Sequence, residues 1–320
     1  AEDVSIIFPG QKSVMANGVP SQPVFDGTEL LSLAPVAVAN GGSVTYSFVA
    51  NNPGTYIYES GTEPAKQINM GLYGVIVVRP TAAGYPTSDP AYAAVGGEYP
   101  IGYAYNDPDT AYRPEREYLL LISEIDPMLH VAVEQGYLYN MNNYTPRYWN
   151  YNGRSFPDTI ADNGADWLPD QPYGSLIYIT EYTTTLTVVD EVSGLNVPNP
   201  NYNPLPALNR IVNVGTMDYS HHPHGNHGRL IAWDGHLLKG AGGEDISTEE
   251  FTVTIAPGQT LDTLFKWQDV ENWHPVDNPI PVVIPQLQDL VAGPFYSGSP
   301  YLGSLEDLPV GTQGLNQCGE

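Results

Sequence analysis

The sequence predicts a mainly β protein of two sandwich-type domains with long loops and one or two short helices. Three observations carry this. Gly, Pro and Tyr number 32, 30 and 23, while charged residues are only 15% of the chain, the composition of many short strands joined by tight turns. Hydrophobic residues make up 42% and fall in alternating runs, which is not a disorder composition. The length, 320 residues, exceeds what one sandwich needs and suits two domains.

The elements follow in order. Val4–Phe8 reads as a strand closed by Pro9-Gly10. Ser43–Phe48 alternates, and Thr55–Tyr58 follows the turn Asn52-Pro53-Gly54. Val75–Val78 is a β-branched run ended by Arg79-Pro80. These place a first domain at residues 1–80. Residues 81–115, rich in Pro, Gly, Asp and Tyr, read as the interdomain connection, with room for an ordered excursion packed on one domain. The second domain, 116–320, opens with the strand Glu117–Ser123. A helix over Met128–Glu134 comes next, with Asp126 as N-cap, Pro127 in its first turn and Gly136 as its stop. Further strands are predicted at Tyr148–Tyr151, Ser175–Val189, Arg210–Val214, Arg229–Trp233, Glu250–Ile255 and Thr260–Trp267. Ala256-Pro257-Gly258-Gln259 turns between the last two, and the proline-rich Val197–Pro206 reads as a loop insertion. Beyond Trp267 regularity fades: Asn272–Pro285 is proline-punctuated, and Leu287–Glu320 reads as a long surface excursion.

Charge narrows the partners. Eleven Lys and Arg stand against 36 Asp and Glu, a net charge of −25. Such a surface repels phosphate backbones and anionic lipid, so no nucleic-acid partner is expected. The acids are scattered, as on a surface kept soluble by self-repulsion. No apolar run approaches the ~18 residues of a membrane-spanning helix. Cys318 is the single cysteine, which excludes an intramolecular disulfide. The opening at Ala1 without a signal peptide fits a mature chain after cleavage, or one whose beginning is absent.

Four of the seven histidines, His221, His222, His224 and His227, fall within seven residues. Imidazole is the commonest copper ligand, and residues two apart on a strand share a face, so His222 and His224 are read as a pair able to address one metal. Asn226 or a backbone carbonyl is the expected partner for the second ring nitrogen. A polar loop without metal and the remnant of a former site are equally open readings. His130, His236 and His274 stand singly and read as surface or hydrogen-bonded histidines.

Gly54-Thr-Tyr-Ile-Tyr-Glu-Ser-Gly-Thr-Glu-Pro-Ala and Asn69-Met-Gly-Leu-Tyr-Gly-Val-Ile-Val-Val-Arg-Pro80 resemble the end of the first domain of the multicopper oxidases. His222-Pro-His-Gly-Asn-His227 with Arg229-Leu-Ile-Ala-Trp-Asp-Gly235 resembles the histidine motif of that family's last domain. Arg147-Tyr-Trp-Asn-Tyr-Asn-Gly-Arg-Ser-Phe-Pro157 resembles its asparagine-glycine stretch. The resemblance implies cupredoxin-like Greek-key sandwiches, an oxidoreductase lineage with copper as cofactor, and an extracellular, cell-surface or periplasmic setting. It also shows what is missing. Ile7 and Pro9 stand at the first histidine motif, Glu59 and Gly61 at the second, and Tyr219 at the type 1 histidine. His222 and His224 match ligands of the trinuclear centre, while Cys318, flanked by no histidine, does not match the type 1 cysteine.

At most one copper is therefore expected, at His222, His224 and His227, with His221 and an oxygen of Glu59 as additional candidates. The family has strands before Val4 and a ligand motif after residue 320. The resemblance thus implies a second polypeptide or protomer supplying strands, hence an oligomer or assembly, or a longer natural chain. A copper-binding protein without oxidase activity and a structural protein of the cell surface are the competing functions.

Overall fold

Alternating side chains decide the central sheet. In the strand Glu117–Ile125, Leu120 and Ile122 join Ile211, Leu230, Val253, Ile255 and Leu261 in one apolar cluster, while Leu119 and Leu121 face Ile57, Val212 and Val214 on the other side. A strand with both faces apolar belongs in the middle of a protein. Each large aliphatic side chain buried this way contributes about 1.5–3 kcal/mol. The computed structural model describes residues 2–81, 84–168, 177 and 180–268, with the backbone of Pro281–Val282 and Phe295–Tyr296.

The seven-stranded sheet runs Tyr148–Tyr151, Glu117–Ile125, Ala207–Asn213, Thr260–Phe265, Gly228–Trp233 and His236–Leu237, with Thr248–Glu250 also paired to Gly228–Trp233. Glu117–Ile125 and Ala207–Asn213 are parallel, and the other pairings are antiparallel. A three-stranded sheet of Ile6–Ile7, Gly54–Ser60 and Tyr73–Val78 brings Ile57 against Val212 and Val214. The chain is mainly β, as predicted.

The helix appears as Pro127–Gln135, with the Asp126 carboxylate accepting from Met128 N at 2.8 Å and Gly136 left-handed at φ 69°. Two single-turn helices, Pro64–Gln67 and Pro90–Ala94, join it. The proline-rich stretch from 84 to 115 is ordered by its aromatics. Tyr105 and Tyr112 enter the core beside Leu208 and Ile231, while Tyr92 stacks on Tyr202 with ring centroids 4.4 Å apart.

Several expectations change. Ser43–Phe48 shrinks to Tyr46–Ser47. Within 175–189, the described residues show a strand only at Thr187–Val189, paired with Asn196–Pro198 in a two-stranded ribbon, so the proline-rich insertion begins as an edge strand. Glu250–Ile255 divides at Phe251-Thr252. Its first part pairs with Gly228–Trp233, and Val253–Ile255 pairs with Tyr219–His221. No helix among the described residues is long and apolar enough to cross a membrane. The segment from 283 to 294, His274 and Cys318 lie outside the described residues.

Candidate metal centre

The histidine loop is aimed from below by a carboxylate. Glu124, buried near the end of the Glu117–Ile125 strand, accepts bonds from Thr216 N at 3.2 Å, Thr216 Oγ1 at 2.7 Å, Met217 N at 3.1 Å and the Tyr219 hydroxyl. Residue 215 must be glycine for this approach, because a Cβ there would stand 2.7 Å from Glu124 Oε1. The turn delivers the chain into Tyr219–His221, which pairs with Val253–Ile255. Sequence reading missed Glu124. No local pattern gave it away, because the same strand also carries Glu117 and Ser123.

That strand stops at His221, so His222 and His224 do not lie on a strand, and the same-face argument for them is overturned. Pro223, between them, has no N–H with which to extend a ladder. The loop itself brings the two rings together, with centroids 5.0 Å apart at 61°. His222 Nδ1 lies 2.7 Å from the Phe251 carbonyl and 2.9 Å from Thr252 Oγ1. A carbonyl only accepts, so Nδ1 donates here, and in the neutral ring this tautomer puts the lone pair on Nε2, the arrangement typical of metal-binding imidazoles. The division at Phe251 is what frees this carbonyl from the sheet.

The carbonyl of Phe251 takes that ring nitrogen, and Asn226 is engaged with the other side of the loop. Asn226 bonds the backbone of Gln268, Nδ2 donating at 3.0 Å and Oδ1 accepting at 3.2 Å. Gly225 bends the loop at φ 95°, where a Cβ would strike Trp267 at 2.4 Å. His227 follows at the rim of a cavity of about 730 Å³ whose walls include Arg229, Glu249, Leu264 and Lys266. Its ring lies 6.0 Å from that of Phe251.

The other candidates separate. The His221 imidazole is pushed down to about 4 by burial and then by His222, and its Nε2 is buried without a partner among the described residues. Glu59 lies on Gly54–Ser60 opposite Ile7 and Tyr73, in the three-stranded sheet, and burial raises its carboxyl above the ordinary range. His236 bonds the Asp234 carbonyl at 2.8 Å, and His130 Nε2 is buried without a partner among the described residues. Among the described residues, no group of three or more His, Cys, Asp or Glu is placed to hold a metal ion.

These residues do not fit a type 1 or trinuclear copper centre. Tyr219, where the sequence resemblance would put the type 1 histidine, offers a phenol whose hydroxyl is committed to Glu124. Two neighbouring imidazoles, one with its tautomer fixed, fit a single copper ion at most.

Residues 10–83 match the multicopper oxidase family model. That match supports the family resemblance read from the sequence. Solved structures similar to the chain include a blue copper oxidase from Nitrosomonas europaea, at 15% identity over 84% of this chain and 60% of that one, TM-score 0.45. The multicopper oxidase Fet3p, which functions in iron import, is similar at 14% identity over 85% of this chain and 37% of that one, TM-score 0.43. A copper nitrite reductase from Nitrosomonas europaea is similar at 19% identity over 81% and 66%, TM-score 0.39. A search of curated proteins finds no match. The chain spans 60% of the length of the blue copper oxidase it resembles.

Proposed function

We propose that this chain is a multicopper-oxidase-like protein that keeps a partial copper site, one ion held by His222 and His224 with His227 as a third candidate on the same loop. The observation that supports it is the 2.7 Å contact of His222 Nδ1 with the Phe251 carbonyl, which leaves Nε2 free beside the His224 ring. A bound copper ion would supply Lewis-acid and one-electron chemistry. This chain's own contribution is to hold two imidazoles close together at an exposed loop. Remaining ligand positions are open to water or to a second polypeptide, and an extracellular or periplasmic setting accompanies the reading. Oxidase activity then requires ligands beyond this set. Equilibrium dialysis of the full chain against Cu(II) tests it. About one ion should bind per chain, and His222→Ala with His224→Ala should abolish binding. Unchanged binding in the double variant would end the reading.

A structural or assembly role is the second reading, favoured by Phe25, Leu30 and Leu31, which are exposed on the hairpin Val24–Asp26 and Glu29–Ser32. A chain that stays monomeric under all conditions in sedimentation would contradict it.

A further inference from the structure

The phenol of Tyr219 joins two groups of different chemistry. On one side it donates to the buried carboxylate of Glu124. On the other, Trp149, 51% exposed on the edge strand Tyr148–Tyr151, lies on the same face of the sheet as Glu124. Trp149 and Glu124 are register partners across the two strands. An exposed aromatic thus leads to a half-buried phenol whose proton already points at a base.

We propose that Tyr219 is a redox-active residue, a one-electron relay between the Trp149 surface and the protein interior with Glu124 as its proton acceptor. A high-potential one-electron metal complex docking at Trp149 takes one electron from the Tyr219 phenol. The phenolic O–H bond breaks as an O–H bond forms on Glu124. The products are a neutral phenoxyl radical, a protonated Glu124 and the oxidant reduced by one electron. A one-electron reductant reverses the step, and the proton returns from Glu124. Placing the base within hydrogen-bond reach avoids a charged phenol radical in a poorly solvated site.

The other phenol–carboxylate pairs among the described residues are built differently. Tyr105 donates to Asp262 and Tyr112 to Glu117, but both carboxylates are bonded to Arg210, whose charge disfavours a proton there. Tyr202 and Tyr139 donate to Asp89 and Asp126, which cap helices and would lose those caps on protonation. Glu124 bears no cation among the described residues and caps no helix. Nearby, the Tyr144 hydroxyl is buried without a partner among the described residues, so within them it does not compete for the Glu124 proton site by hydrogen bonding. The inference is independent of whether copper binds.

The test is flash oxidation of the full chain by a photogenerated ruthenium(III) polypyridyl complex, followed by transient absorption and electron paramagnetic resonance. The expected result is a neutral tyrosyl radical that Tyr219→Phe removes. Glu124→Gln should slow its formation about a hundredfold, the order a positioned base contributes. Because Glu124 is buried, Trp149→Phe serves as a second variant at an exposed position, and it should slow formation while leaving the radical's spectrum unchanged. An undiminished tyrosyl signal in Tyr219→Phe, or formation at the parent rate in Trp149→Phe, would overturn the proposal.

Discussion

Arg210 and Asp262 face each other across the antiparallel register of Ala207–Asn213 and Thr260–Phe265, bonded at 3.1 Å with side chains 1% and 2% exposed. Arg210 also donates to Glu117 Oε1 at 2.6 Å and Thr55 Oγ1 at 2.9 Å, and Thr55 donates to Asp262 at 2.6 Å. The pair therefore ties the three-stranded sheet to the seven-stranded one. Breaking a buried pair strands a charge, so Arg210→Met or Asp262→Asn should cost about 3–5 kcal/mol. The double variant Arg210→Met with Asp262→Asn should cost less than the sum of the single changes. Urea unfolding of all four proteins closes the cycle.

Gly215→Ala should destabilise by about 1–3 kcal/mol, because its Cβ would press on Glu124 Oε1 and the surroundings are packed. The same change should weaken copper binding, since the turn it disturbs carries the chain to His222. Unfolding curves and copper titration of one variant read both effects. A neutral result in both would show that Glu124 does not aim the loop.

The Tyr112 phenol is pushed up to about 12 by burial and then by the Glu117 charge. In the unfolded chain a tyrosine ionises near 10. The folded state holds its proton longer, so this contribution is complete below about pH 10 and is lost as pH rises toward 12. Its size is of order 2 kcal/mol. Tyr112→Phe should flatten that part of the stability profile, measured by urea unfolding at a series of alkaline pH values. A parallel profile in the variant would contradict the assignment.

Legibility followed the range of the cause. The helix Pro127–Gln135 was readable because Asp126, Pro127 and Gly136 act within a turn of the chain. Tyr148–Tyr151 was readable from its composition alone. The small hairpin of Met15–Ala16 and Val19–Pro20 went unread although Asn17 and Gly18, at φ 49° and 83°, are its turn signal, because each arm has only two paired residues. Glu124 and Arg210 were hidden for another reason. Their partners lie 92–95 and 52–155 positions away, and no local pattern announces a buried carboxylate or guanidinium. At the histidines, residue type pointed to the loop, but strand periodicity was the wrong warrant. The rings meet because Pro223 ends the strand and the loop folds back on Phe251.

Electron paramagnetic and visible spectra of the full chain titrated with Cu(II) test the partial copper site most directly. Saturation near a single equivalent is expected, with nitrogen couplings from imidazole, only a pale colour, and loss of both in His222→Ala with His224→Ala. An intense blue thiolate-to-copper band, or several coppers retained per chain, would contradict it.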